Sequence, residues 1–159
     1  MLKLYKRIDT QLHYWETWDT TNKSTIVHWG MVGEKGFQRE EKLSLFSNFR
    51  KKIQKEIDKL LSEGYHQIDI DDHITLLIEY DLTRLDPIEA LKKRHRLEDR
   101  MNQTLGWIGL GNCDGGSIGS GTMEVCCLVV DFPIAKDAII KDLLETEFSD
   151  YSRIFEEKY

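Results

Sequence analysis

The chain has little of what marks several large classes of protein. Two prolines in 159 residues exclude a proline-rich spacer. No run of about 18 apolar residues is present to cross a bilayer as a helix. The N-terminus lacks the basic, apolar and small-residue regions of a secretory leader, so a cytoplasmic location is expected. The cysteines, Cys113, Cys126 and Cys127, are odd in number and show no Cys-x-x-Cys spacing. That pattern argues against a disulfide framework or a zinc site and for free thiols in a reducing compartment. His13, His28, His66, His73 and His95 are scattered, none at partner spacing from Cys113, and Asp114 with Glu124 suit a turn and a strand surface. No enzyme activity, metal or cofactor is therefore expected.

What is present is enough apolar residue, 40%, to fill one large or two small cores. The net charge of −6 hides an asymmetry: residues 1–66 hold 12 Lys plus Arg against 9 Asp plus Glu, a net +3, and residues 67–159 hold 10 against 19, a net −9. The split permits nucleic-acid contact by the first half only and equally permits a basic protein partner for the second, and charge alone does not choose between them.

Leu2, Leu4 and Ile8 alternate with Lys3 and Arg7, and residues 12–19 are aromatic and β-prone, so both stretches read as strands with one wet face. Residues 20–24 form a turn cluster, and residues 25–29 read as a third strand running into Gly30, Gly33 and Gly36. Phe46, Phe49, Ile53, Ile57 and Leu60 recur at three- and four-residue steps, predicting a helix that starts near residues 42–44 and ends at Gly64. Trp15, Trp18 and Trp29 belong in the core of this small sheet, the alternative being an exposed binding platform for bases or sugars. Lys51, Lys52, Lys55 and Lys59, with Arg50 at the margin, form a basic stripe able to track phosphates, interrupted by Glu56 and Asp58.

The string Trp29-Gly30-Met31-Val32-Gly33, followed by Gly36, the helix and Gly64-Tyr65, resembles a WGR domain over about residues 1–68. The resemblance implies an antiparallel sheet with a helix packed on it. It also implies contact with DNA near a break, as made by members beside the catalytic domain of DNA-damage-dependent poly(ADP-ribose) polymerases. The arginine of the family triplet is Met31 here, so that phosphate contact does not transfer. The nucleic-acid-binding candidates are Trp29, Lys35, Arg50, Lys51, Lys52, Lys55 and Lys59.

Residues 66–72 are a short acidic connection, which puts a second domain at residues 73–159; Asp69, Asp71 and Asp72 lack the spacing of a calcium loop. Residues 74–80 read as a strand buried on both sides, and Asp86-Pro87-Ile88-Glu89 starts a helix. Lys92-Lys93-Arg94-His95-Arg96 is a basic run read as a solvated helix face, with a nucleic-acid or targeting run as the alternative. The glycine-dense residues 106–121 precede a strand, not a helix, so a hairpin connection with its turn at Asp114-Gly115 is favoured over a phosphate loop. Its candidate ligand or partner residues are Trp107, Asn112, Asp114, Ser117 and Ser120. Asp131-Phe132-Pro133 opens a last helix, and residues 151–159 supply an edge strand. Strand, helix, strand, strand, helix, strand is the ferredoxin-like order, so the whole chain reads as α+β. Leu105 through Gly121 also resembles a pattern in small uncharacterised bacterial proteins, which brings no chemistry with it.

The expected function is a non-enzymatic binding protein whose WGR-like half contacts nucleic acid and whose acidic half engages a protein. The alternatives are a bacterial immunity protein that neutralises a cationic toxin, and a small-ligand site in the glycine-rich stretch.

Overall fold

The computed structural model describes residues 1–43, 48–83 and 86–158. The chain divides into two compact units, Met1–Ile68 and Asp69–Tyr159. Among the described residues they contain two four-stranded antiparallel sheets and three α-helices, an α+β architecture.

In the first unit β1 (Leu2–Ile8), β2 (Gln11–Thr21), β3 (Ser24–Met31) and β4 (Phe37–Lys42) pair in chain order, and α1 (Phe49–Ser62) follows. Because side chains alternate along a strand, the register Leu4↔Trp15 and Trp15↔Trp29 sets these residues on one sheet face. There Leu4, Trp15 and Val27 are buried with Ile53 of α1, and Leu2, Trp29, Ile57, Leu60 and Tyr65 pack around them. Burying each large side chain stabilises by about 1.5–3 kcal/mol.

Two expectations are corrected here. The sheet has a fourth strand that the apolar pattern did not announce, because Phe-Gln-Arg-Glu-Glu-Lys pairs along one edge only and buries none of its residues. Charge along an exposed edge discourages pairing with a second chain. The helix does not begin near residues 42–44: Lys42 ends β4, and α1 starts at Phe49, where the Asn48 side chain accepts from the Arg50 and Lys51 amides at 3.1 and 3.4 Å. Phe46 and Ser44, which carried part of that expectation, lie outside the described residues. Gly64 has φ 94°, the left-handed conformation that ends a helix.

The second unit orders its strands β6-β7-β5-β8, with every neighbour antiparallel. These are β5 (Ile74–Asp81), β6 (Gly111–Gly119), β7 (Thr122–Val129) and β8 (Arg153–Glu156), with α2 (Pro87–Trp107) and α3 (Phe132–Leu143) between them in sequence. Leu76, Leu77 and Ile78 of β5 are buried on both sheet faces, as befits a central strand. Asp86 caps α2 ahead of Pro87, and Asp131 caps α3.

Most of the glycine-dense stretch, Gly111–Gly119, is a strand and not a connection. The hairpin turn falls at Ser120-Gly121, with φ 52° and 84°, not at Asp114-Gly115. Asp114 is instead the extra residue of a β-bulge, the register passing from Cys113↔Cys127 to Gly115↔Cys126. Close packing explains Gly116, since a Cβ there would lie 2.2 Å from the Glu124 carbonyl oxygen and 3.2 Å from Arg94 and Glu98 of α2. The open edge of β6 is covered by α2. Asn102 Oδ1 accepts from the Cys113 amide at 2.9 Å, and Arg94 donates to the Gly116 carbonyl at 2.5 Å.

Candidate nucleic-acid interface

The turn after β3 is built by two glycines that touch. A Cβ on Gly30 would stand 2.7 Å from Gly36 Cα, and one on Gly36 would stand 2.2 Å from the Trp29 carbonyl oxygen. Gly36 also has φ +61°, a conformation costly to a residue with a side chain. The turn is held from below by the sheet face opposite α1. The Tyr14 hydroxyl donates to the Glu34 carbonyl at 3.1 Å, and His28 Nε2 donates to the Lys35 carbonyl at 2.6 Å. His28 Nδ1 lies 2.7 Å from Glu16 Oε1, and Lys3 Nζ lies 3.0 Å from Glu16 Oε2. Burial, and after it the Glu16 charge, pushes the Tyr5 and Tyr14 hydroxyls well above the ordinary phenol range.

This Lys3, Glu16, His28 and Tyr14 network was missed in the sequence. A one-sided strand pattern assigns Glu16 and His28 to solvent, yet they are 4% and 1% exposed. The one available signal was that β2 carries bulky residues at both parities, Tyr14 beside Trp15.

On the opposite face a row of side chains crosses the strands at Leu4, Trp15, Trp29 and Phe37. Exposure rises along it, from 1% at Leu4 and 4% at Trp15, through half-buried Trp29, to 70% at Phe37. Phe37 stands beside Trp29, ring centroids 6.2 Å apart and planes 30° apart. The Arg39 guanidinium sits 5.3 Å from the Trp29 ring centroid, and ion pairs with Glu41 and Glu56 hold it there. Glu56 also accepts from Trp15 Nε1 at 3.0 Å. A cleft of about 180 Å³ opens among His13, Trp29, Arg39, Glu56 and Tyr65. Drug-sized ligands take roughly 300 Å³ or more, so the cleft fits a flat ring at most.

The basic stripe of α1 is partly neutralised. Lys52 reaches Glu41 at 2.5 Å, Arg50 reaches Asp19 at 3.6 Å and Lys59 reaches Glu63 at 3.6 Å. The Lys52 hydrogen bond, helped by Arg39, holds the Glu41 carboxyl below the usual carboxylate range, against the opposing effect of burial. Lys51 and Lys55 are exposed and, among the described residues, have no ion-pair partner, and Lys35 is exposed in the turn. The α1 residues lining the Trp29 cleft are Glu56 and Leu60, so the cleft and the lysine pair are separate features.

The candidates of the second unit do not converge. Trp107 is 46% exposed at the end of α2, Asn112 lies on β6, Asp114 is in the bulge and Ser120 is at the hairpin tip. The Ser117 hydroxyl donates to Glu124 Oε2 across the strands at 3.2 Å.

The basic run on α2 works within its unit. Lys93 is 7% exposed, with Nζ 2.5 Å from Asp150 Oδ1 and 4.5 Å from the Tyr80 ring centroid. Arg94 pairs with Glu98 at 3.2 Å, and Arg96 grips both Glu147 oxygens at 3.1 and 2.7 Å. Among the described residues no group of three or more His, Cys, Asp or Glu gathers as a metal site, and no helix is long and apolar enough to cross a membrane. Compared with known protein families, with characterised proteins and with solved structures, the chain matches none.

Proposed function

We propose that the chain is a non-enzymatic binding protein whose first unit contacts nucleic acid and whose acidic second unit engages a protein partner. The observation that carries this reading is the aromatic row ending in Phe37, an exposed ring beside Trp29, with the Arg39 guanidinium over Trp29 and Lys35 two residues ahead of Phe37 in the turn. Aromatic faces flanked by cations accept an unstacked base of any identity at about 1–3 kcal/mol per base. A four-stranded antiparallel meander with a helix on one face supports the WGR-like reading. The β6-β7-β5-β8 order supports the ferredoxin-like reading of the second unit. With Met31 where the family triplet has arginine, binding depends on stacking more than on that phosphate contact.

Gel shift with single-stranded, nicked and blunt duplex DNA, repeated at rising salt, tests the proposal. Retardation is expected at low salt, strongest for DNA with unpaired or frayed bases, and Phe37→Ala is expected to weaken it tenfold or more. No retardation at low salt would overturn it, because phosphate contacts are strongest there.

One observation favours the immunity-protein reading. Lys92, Lys93, Arg94, Arg96, Arg100, Arg153 and Lys158 all pair within the second unit, while Asp69, Asp71 and Asp72 stay exposed. The surplus negative charge thus faces outward, suited to rapid capture of a cationic protein. Pull-down of a basic toxin from the source cell, with no DNA retardation, would select this reading.

A further inference from the structure

Cys113 and Cys127 are direct register partners on β6 and β7. The Cys113 amide donates to Asn102 on α2 at 2.9 Å, so it is turned away from β7 and the two cysteines form a non-hydrogen-bonded pair. Such pairs hold their Cα atoms at about 4.5 Å, within the roughly 4.4–6.8 Å that a disulfide spans. Both side chains enter the buried side of the sheet, Cys127 at 0% and Cys113 at 9% exposure, whereas Cys126 points to the other face. The Cys113 thiol donates to the Gly115 carbonyl at 3.6 Å, across the bulge. Hydrogen bonding with Cys127 holds the Cys113 thiol below its ordinary range against the opposing effect of burial, and Cys113 together with burial pushes Cys127 far above its own.

We propose that Cys113 and Cys127 are a redox-active dithiol that closes to an intrachain disulfide when a peroxide reaches the covered edge of β6. Cys113 is the attacking group because it alone of the pair retains exposure. Its thiolate attacks one peroxide oxygen, the S–O bond forms, the O–O bond breaks, and the leaving hydroxide takes a proton to become water. The Cys127 sulfur then attacks the sulfenic sulfur. The S–S bond forms, the S–O bond breaks, and the departing hydroxide leaves as water with the Cys127 proton. Two thiols are oxidised and one peroxide is reduced to two waters; an external dithiol reverses the change. The bond would tie β6 to β7 beside the bulge and beside the α2 contact at Asn102.

The test uses the full chain carrying Cys126→Ala, with the unsubstituted chain in parallel. Each is exposed to hydrogen peroxide, denatured, blocked with maleimide and cleaved after glutamate. Cleavage at Glu124 separates Cys113 from Cys127, which trypsin cannot do because no Lys or Arg lies between Arg100 and Lys136. Non-reducing mass spectrometry is expected to show the Cys113 and Cys127 peptides joined. Both thiols should be lost to maleimide together and recovered together after dithiothreitol, and Cys113→Ser should abolish the product. Three results would overturn the proposal: Cys113 driven to sulfinic acid while Cys127 stays free, linkage only between separate chains, or both thiols reduced under peroxide that oxidises Cys126 in the unsubstituted chain.

Discussion

At the scale of single residues, the first unit depends on groups with no room to change. Gly36 combines a positive φ with a Cβ position occupied by the Trp29 carbonyl. Gly36→Ala is therefore expected to cost about 2 kcal/mol or more in urea unfolding, beyond the cost of an ordinary surface substitution. An unchanged midpoint would show that the turn relaxes freely. Glu16 is a buried side chain between the Lys3 ammonium and His28 Nδ1, and its removal leaves both without that partner. Glu16→Ala is expected to destabilise by about 3 kcal/mol, and Glu16→Gln, which keeps hydrogen-bonding atoms, by less. Equal losses for the two would mean that packing and not charge is what Glu16 supplies. The glycines were legible as turn residues in the sequence. Burial of Glu16 and His28 was not, because a polar residue in a strand looks the same whether it meets water or a partner.

At the scale of elements, charge placement separates surface from scaffold. Along α1, Lys51→Ala and Lys55→Ala are each expected to lower DNA affinity and to reduce the salt slope of binding by about one. Lys52→Ala and Lys59→Ala should do less, since those ammonium groups already sit on Glu41 and Glu63. Equal effects from all four would dissolve the distinction. On α2, Arg96→Ala should leave DNA binding untouched and loosen the helix from Glu147.

Two carboxyls of the second unit give its stability a pH dependence. Hydrogen bonds from Arg153 to Glu79 and from Arg96 to Glu147 hold both below the ordinary carboxylate range. A carboxyl depressed on folding stabilises fully above its unfolded pKa of about 4.3 and ceases to do so as pH falls through its lower folded value. Thermal unfolding should thus find the chain more stable than Glu79→Gln at neutral pH, with the gap closing as both are taken below about pH 3. A gap that persists in acid would assign the loss to shape and not to ionisation. The sequence supplied the starts of α2 and α3 through Asp86-Pro87 and Asp131-Phe132-Pro133, which act locally, but not that of α1. It concealed β4, whose pairing with β3 needs no apolar side chain.

At the scale of the whole molecule, the chain holds two separate cores, and three of its four tryptophans, Trp15, Trp18 and Trp29, belong to the first unit. Trp107→Phe therefore leaves emission that reports the first unit alone. In that background Gly36→Ala is expected to shift the fluorescence transition, whereas Leu97→Ala, in the second core, should shift the far-ultraviolet dichroism transition and leave the fluorescence midpoint in place. Coincident shifts for both substitutions would mean one cooperative unit.

By itself the sequence determined the α+β class, the apolar strand faces, the caps of α2 and α3 and the charge imbalance, because each is written in local periodicity or composition. Only the tertiary structure decided which polar groups are buried partners, which lysines remain unpaired, and that Cys113 meets Cys127. Those outcomes depend on strand register and on contacts between residues far apart in the chain, and neither periodicity nor composition records them.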